Sequence, residues 1–135
     1  MKNWTVNAME ALQKAQNKAY EMGHAEMAPL HLLWALLSET GLATNALRNL
    51  ELDAGLIVRT ADKELQNLPT VQNKDVPGAG SELQKIFLEA QSIAGQGAMV
   101  GTRELLIALA RDKGRAGTLL HTYDVNEQKL AAALQ

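Results

Sequence analysis

The second half of this chain echoes the first, and that repeat limits the possible folds more than any other feature. Ala15-Gln16 and Ala19 recur as Ala90-Gln91 and Ala94, 75 residues further on. Leu32-Leu33-Trp34-Ala35-Leu36 recurs as Leu105-Leu106-Ile107-Ala108-Leu109, 73 residues further on. Leu47, Leu50, Leu52 and Ile57 keep that second spacing onto Leu120, Tyr123, Val125 and Leu130. The glycine-containing loop before the buried run absorbs the difference between the two spacings, as loops do. Leu-on-Leu matches arise by chance, but a dipeptide, an apolar run and a tail matched in one order are harder to obtain that way. A unit of this length is too small to hold a core alone, so two copies must bury faces against one another.

Within each unit the apolar residues recur at helical steps. Thr5 is placed to cap a helix carrying Met9, Leu12, Ala15, Ala19 and Met22 on one face, and Gly23 ends it. Pro29 fits the first turn of a second helix, where its missing amide costs nothing. Leu30, Leu32, Leu33, Trp34, Leu36 and Leu37 make that helix apolar nearly all round, so it should be central and buried. A short helix follows through Ala46, Leu47 and Leu50. Asp53 caps a fourth, with Leu56, Ile57, Ala61 and Leu65.

The second unit repeats the plan. Ser81 and Thr102 read as caps of helices through Leu83–Ala94 and Leu105–Leu109. A short helix lies around Leu119 and Leu120, and Asn126 caps a last one through Leu130 and Leu134. No segment alternates with period two, so no substantial sheet is expected. The predicted fold is all-α: two tandem four-helix repeats, about 4–67 and 81–135, packed pseudo-symmetrically into one compact domain spanning 1–135. Between them, residues 68–80 carry Asn73-Lys74-Asp75 and Pro77-Gly78-Ala79-Gly80 and read as an exposed linker.

Composition narrows the function. A hydrophobic share of 47% supports a real core without metal or disulfide, and only 4% is aromatic, so that core is mostly Leu, Ala, Ile, Val and Met. A net charge of −2 with no basic cluster argues against nucleic acid and anionic membrane. The absence of cysteine excludes disulfides, thiolate catalysis and cysteine zinc sites. Met1-Lys2-Asn3-Trp4-Thr5 has no apolar core of the secretory-signal kind, and no apolar stretch reaches the ~18 residues of a membrane helix.

The candidate chemical groups favour plain structural roles. His24, His31 and His121 lack the i, i+4 spacing of a helical zinc site, and the serines lack a nucleophile-elbow context. The acidic residues are scattered along solvated faces, and Gly95-Gln96-Gly97 is a loop that ends a helix. Trp34 belongs to the core. Trp4 either staples the first helix or stands partly exposed. Phe87 is either core or groove, and the methionines suit core gaps or an adaptable groove.

Several of these residues carry a family resemblance. Thr5, Ala11-Leu12, Ala15-Gln16, Gly23-His24, Pro29-Leu30-His31-Leu32-Leu33, Ala35-Leu36-Leu37, Leu68-Pro69-Thr70-Val71, Thr102 and Leu105–Leu109 resemble the N-terminal domain of the Clp ATPases. The Leu-Pro-x-Val after the fourth helix is most similar to the disaggregase branch, ClpB. The resemblance implies a domain that sits on a flexible linker above a hexameric AAA+ ring and touches unfolded or aggregated polypeptides through an apolar groove. It implies no enzyme activity and no cofactor in this chain, with ATP and Mg belonging to the parent's ring. No G-x-x-x-x-G-K-[ST] loop is present. It further implies a cytoplasmic location, and the absence of a long exposed apolar heptad predicts a monomer for the isolated domain.

On this resemblance Thr5, Phe87 and Ile93 align with positions that line or flank the family's groove. Arg103 stands where the family usually carries Glu, and Glu104 follows one place later. Both are candidate substrate contacts. Two rival functions stay open beside this reading: an accessory domain that docks a folded adaptor, and a small hydrolase, for which no converging titratable pocket is visible.

Overall fold

The computed structural model describes residues 3–72 and 75–134. The Asn73-Lys74 step of the expected linker and Gln135, the expected domain end, lie outside the described residues.

Among the described residues eight helices run in order: α1 (Val6–Glu21), α2 (Pro29–Leu37), α3 (Leu42–Asn49), α4 (Ala54–Gln66), α5 (Ser81–Ala94), α6 (Thr102–Arg111), α7 (Arg115–Thr122) and α8 (Glu127–Ala133). Two strands of two residues each, β1 (Glu26–Met27) and β2 (Gly78–Ala79), pair in parallel. The fold is therefore all-α with two four-helix sets, as the repeat predicts.

The apolar helix α2 lies at the centre, packed against α1, α3 and α4 of its own half and α5, α6 and α7 of the other. That many neighbours explain its uniform hydrophobicity: Leu30, Leu32 and Leu33 are fully buried, and so are Leu105, Leu106 and Leu109 of α6. Trp34 departs from the expected core position. It is half-buried, with Lys18 Nζ 4.4 Å and Lys14 Nζ 5.5 Å from its ring centre. It packs against the edge of the core while two ammonium groups lie over its ring.

The repeat is visible down to single backbone bonds. The helices α3 and α7 both end on a residue in the left-handed region, Glu51 (φ 61°) and Asp124 (φ 62°). In each case the next amide reaches back to close the turn: Leu52 to the Leu47 carbonyl and Val125 to the Leu120 carbonyl, both at 2.9 Å. Asp53 and Asn126 then cap α4 and α8 with their side chains. Thr5 caps α1 as expected, its hydroxyl accepting the Ala8 amide at 3.1 Å.

Two expected caps shift by one residue. Gly80 and Gly101 hold the N-cap positions of α5 and α6, and Ser81 and Thr102 are already helical. At α6 the orphan amide is satisfied from inside the helix, where Glu104 accepts the Gly101 N–H at 2.8 Å.

The two halves exchange their leading segments. The chain entering α1 pairs with the chain entering α6, through Thr5 N–H to the Val100 carbonyl at 2.9 Å and a Trp4–Val100 bridge. Reciprocally, β2, which enters α5, pairs with β1, which enters α2, and Gly80 N–H reaches the Met27 carbonyl at 2.9 Å. Residues on either side of 73–74 are thus tied to the first half. Val71 N–H also donates to the Gly23 carbonyl at 2.8 Å, and the Gln16 side chain donates to the Pro77 carbonyl at 2.9 Å.

Candidate functional site

The exchanged segment at the chain's start assembles most of the residues singled out from the sequence. Thr5 lies against Gly101: a Cβ built on that glycine would meet the Thr5 methyl at 3.5 Å and a Glu104 carboxylate oxygen at 3.3 Å. Glu104 spends one oxygen on the Gly101 amide and the other on Arg103 Nη1 at 3.1 Å. The Glu104 side chain is mostly covered, whereas Arg103 is 42% exposed and able to swing away. Thr5, Arg103 and Glu104 therefore form one small polar group.

Phe87 joins this region through Trp4. The two rings meet edge to face with centres 5.1 Å apart, a favourable arrangement for aromatic quadrupoles. Trp4 is buried, which settles its two open readings in favour of packing, and Phe87 is half-buried at the surface of the same cluster. Val6 (71% exposed) and Met99 (53% exposed) directly follow Thr5 and precede Val100, so the polar group is flanked by open apolar side chains.

Ile93 stands apart from this group. Six residues separate it from Phe87, which places the two about 120° apart around α5. It is half-buried and packs against the core.

Sequence reasoning did not anticipate a pair of grooves at equivalent places in the two halves. The first, of about 340 Å³, lies between α1 and the α2–α3 turn, over Ala11, Leu36 and Leu42, with Glu10, Lys14 and Glu39 on its rim. The second, of about 440 Å³, lies between α5 and the α6–α7 turn, over Ile86 and Ala108, with Lys85, Glu89 and Arg111 on its rim. The spacings of 75 and 73 carry Ala11 onto Ile86 and Ala35 onto Ala108, so the signal was present in the repeat.

The rims differ in their ion pairs. Lys14 bridges to Glu39 at 2.8 Å across the first groove. In the second, Arg111 reaches both Glu89 of α5 and Glu127 of α8. Hydrogen bonding to Glu127 and Glu89 raises the Arg111 pKa, and Arg111 correspondingly holds Glu127 below the usual carboxylate range.

The buried polar groups are elsewhere, in a histidine pair. His24 Nδ1 lies 2.7 Å from His31 Nε2, and both rings are buried. Burial, with the neighbouring ring second, lowers the His31 pKa to about 4, and burial also lowers that of His24. Among the described residues no three His, Asp or Glu side chains gather closely enough to hold a metal ion. No described helix is long and apolar enough to cross a membrane.

Two four-helix halves with exchanged leading segments and paired surface grooves define a duplicated all-helical domain. The chain belongs to the Clp repeat (R) N-terminal domain family, whose profile matches residues 3–131. Similar curated proteins include the chaperone protein ClpB of Corynebacterium diphtheriae, 34% identical over 132 residues, and that of Rickettsia felis, 32% identical over 139 residues. These matches cover 91% and 97% of this chain but only 16% of either relative.

Solved structures agree on the fold. The Hsp104 N-terminal domain from Candida albicans superposes with a TM-score of 0.85 at 18% identity, covering 98% of this chain and 89% of that one. The N-terminal domain of the ClpV1 ATPase from E. coli EAEC superposes with a TM-score of 0.82 at 24% identity, covering 97% and 83%. This chain accordingly has the fold of the N-terminal domains in these Clp-type proteins.

Proposed function

We propose that this domain recognises substrates for an ATP-dependent protein disaggregase, binding exposed apolar segments of unfolded or aggregated polypeptides and passing them to a hexameric AAA+ ring in the cytoplasm. One observation carries the reading: Trp4, paired with Phe87, directly precedes Thr5, which lies against Gly101 beside the paired Glu104 and Arg103, and the sequence neighbours Val6 and Met99 are exposed. Open apolar side chains offer burial at about 25 cal/mol per Å². The polar group supplies hydrogen bonds to a peptide backbone. Ordering of a flexible peptide offsets much of this gain, so affinity is weak for a single domain. Several domains on one ring raise it by avidity. ATP and Mg act in the ring and need no residue of this chain.

The test is a titration of the isolated domain with a permanently unfolded protein, followed by amide chemical shifts. Shifts clustered on Thr5, Phe87 and Thr102–Glu104 are the expected result. Shifts confined to the grooves at Leu42 and Ile86 would instead favour docking of a folded adaptor. No shifts at millimolar ligand would refute the reading.

A further inference from the structure

The buried histidine pair has a proton arrangement that admits only one solution. His31 Nδ1 accepts the Ala28 amide N–H at 2.8 Å, so the ring's own proton is on Nε2. That N–H points at His24 Nδ1, 2.7 Å away, which must therefore be the acceptor. The remaining proton of His24 is then on Nε2. Two bonds in series thus connect the entry to α2 with His24, just past the end of α1.

A further proton has no place in this chain. On His31 Nδ1 it would face the Ala28 N–H, and on His24 Nδ1 it would face the His31 N–H. In either position two donors oppose each other, and one of the two bonds must break. Burial of both rings opposes the charge as well, and outweighs the backbone groups of Leu65 and Ala28 that favour it. Lys18 of α1 acts on both rings with like sign and is itself paired with Asp62 of α4 at 2.9 Å. The α2 helix carries no charged side chain, and Glu26 of β1 is turned over Gly80 instead of toward the rings.

What the pair holds in place is the segment between the two halves. Val71 is tied to the Gly23 carbonyl, next to His24. Gly78, Ala79 and Gly80 are tied to Glu26 and Met27, next to Ala28. We propose that His24 and His31 form an acid-sensitive latch: protonating the pair breaks it and releases Val71, Gly78, Ala79 and Gly80 from the first four helices while the second four stay folded.

The latch is tested by amide hydrogen exchange on the whole chain, comparing protection factors at pH 7.5 and pH 5. With one ring lowered to about 4 in the closed form and near 6.5 when open, protection of Val71 and Gly80 should fall about 30-fold, against little change in α6 at Leu106 and Ala108. The double variant His24→Gln/His31→Gln replaces the rings with amides that do not titrate, and should flatten this pH dependence. Constant protection at Val71 and Gly80 in the wild type overturns the latch, as does a fall shared equally by α6. Should the double variant not fold, the wild-type comparison decides alone.

Discussion

His31 and Glu104 perform the same task 73 residues apart. Each sits in the first turn of the central helix of its half and accepts the amide N–H of the residue three places earlier, Ala28 or Gly101, at 2.8 Å. The duplication has kept the bond and changed the chemistry of the acceptor. One copy builds a buried histidine pair. The other places a carboxylate next to Thr5 and Arg103, at the surface.

The Glu104 cap gives a direct prediction. Glu104→Ala leaves the Gly101 amide without its partner at a half-buried helix start, and should cost about 1–2 kcal/mol in denaturant unfolding. Glu104→Gln keeps an acceptor and should cost less than half as much.

The pH dependence of stability follows from His31, whose folded-state pKa is lowered to about 4 from the usual 6.5. The unfolded chain takes up the proton first as pH falls. The stability contributed by the neutral ring is fully present above about pH 6.5 and is lost progressively down to pH 4. The difference amounts to about 3 kcal/mol. Thermal melts between pH 7.5 and 4.5 should show this loss, and His31→Gln should remove most of it.

Residues in the left-handed region give a prediction of opposite sign. Glu51 and Asp124 close the ends of α3 and α7 with positive φ, where a side chain is strained. Glu51→Gly and Asp124→Gly should each stabilise the domain by about 0.5–1 kcal/mol, the relief exceeding the entropy cost of glycine in the unfolded chain. The two gains should add, because the sites are in different halves.

Gly117 admits no such freedom. A Cβ there would lie 1.7 Å from the Asp112 carbonyl oxygen, a backbone atom that cannot move without opening the α6–α7 turn. Gly117→Ala should cost about 3 kcal/mol or more, measured by the midpoint of urea unfolding.

Much of this architecture could be read before any coordinates. The spacings of 73 and 75 gave the duplication. The uniform hydrophobicity of Leu30–Leu37 marked α2 as central, and Thr5, Asp53 and Asn126 were legible as caps because their side chains are the ones that bond first-turn amides. Ser81 and Thr102 misled by one residue, since glycines precede both and a side chain inside the first turn can serve the same amides. The exchange of leading segments was not legible. Two-residue pairings such as Trp4–Val100 leave no periodic signal, and contact between residues nearly a hundred positions apart is a property of the packed pair of halves. The histidine pair was missed for a similar reason. Seven residues separate His24 from His31, with a strand between them, so no helical spacing links them.

The most direct test of the account is the dissociation constant for a permanently unfolded protein, measured for the wild-type domain and for Phe87→Ala. Phe87 is half-buried on the Trp4 ring, so the variant keeps the fold while removing apolar surface from the candidate site. The account predicts at least a tenfold weaker affinity, about 1.4 kcal/mol, with unchanged circular dichroism. An affinity equal to that of the wild type would contradict it.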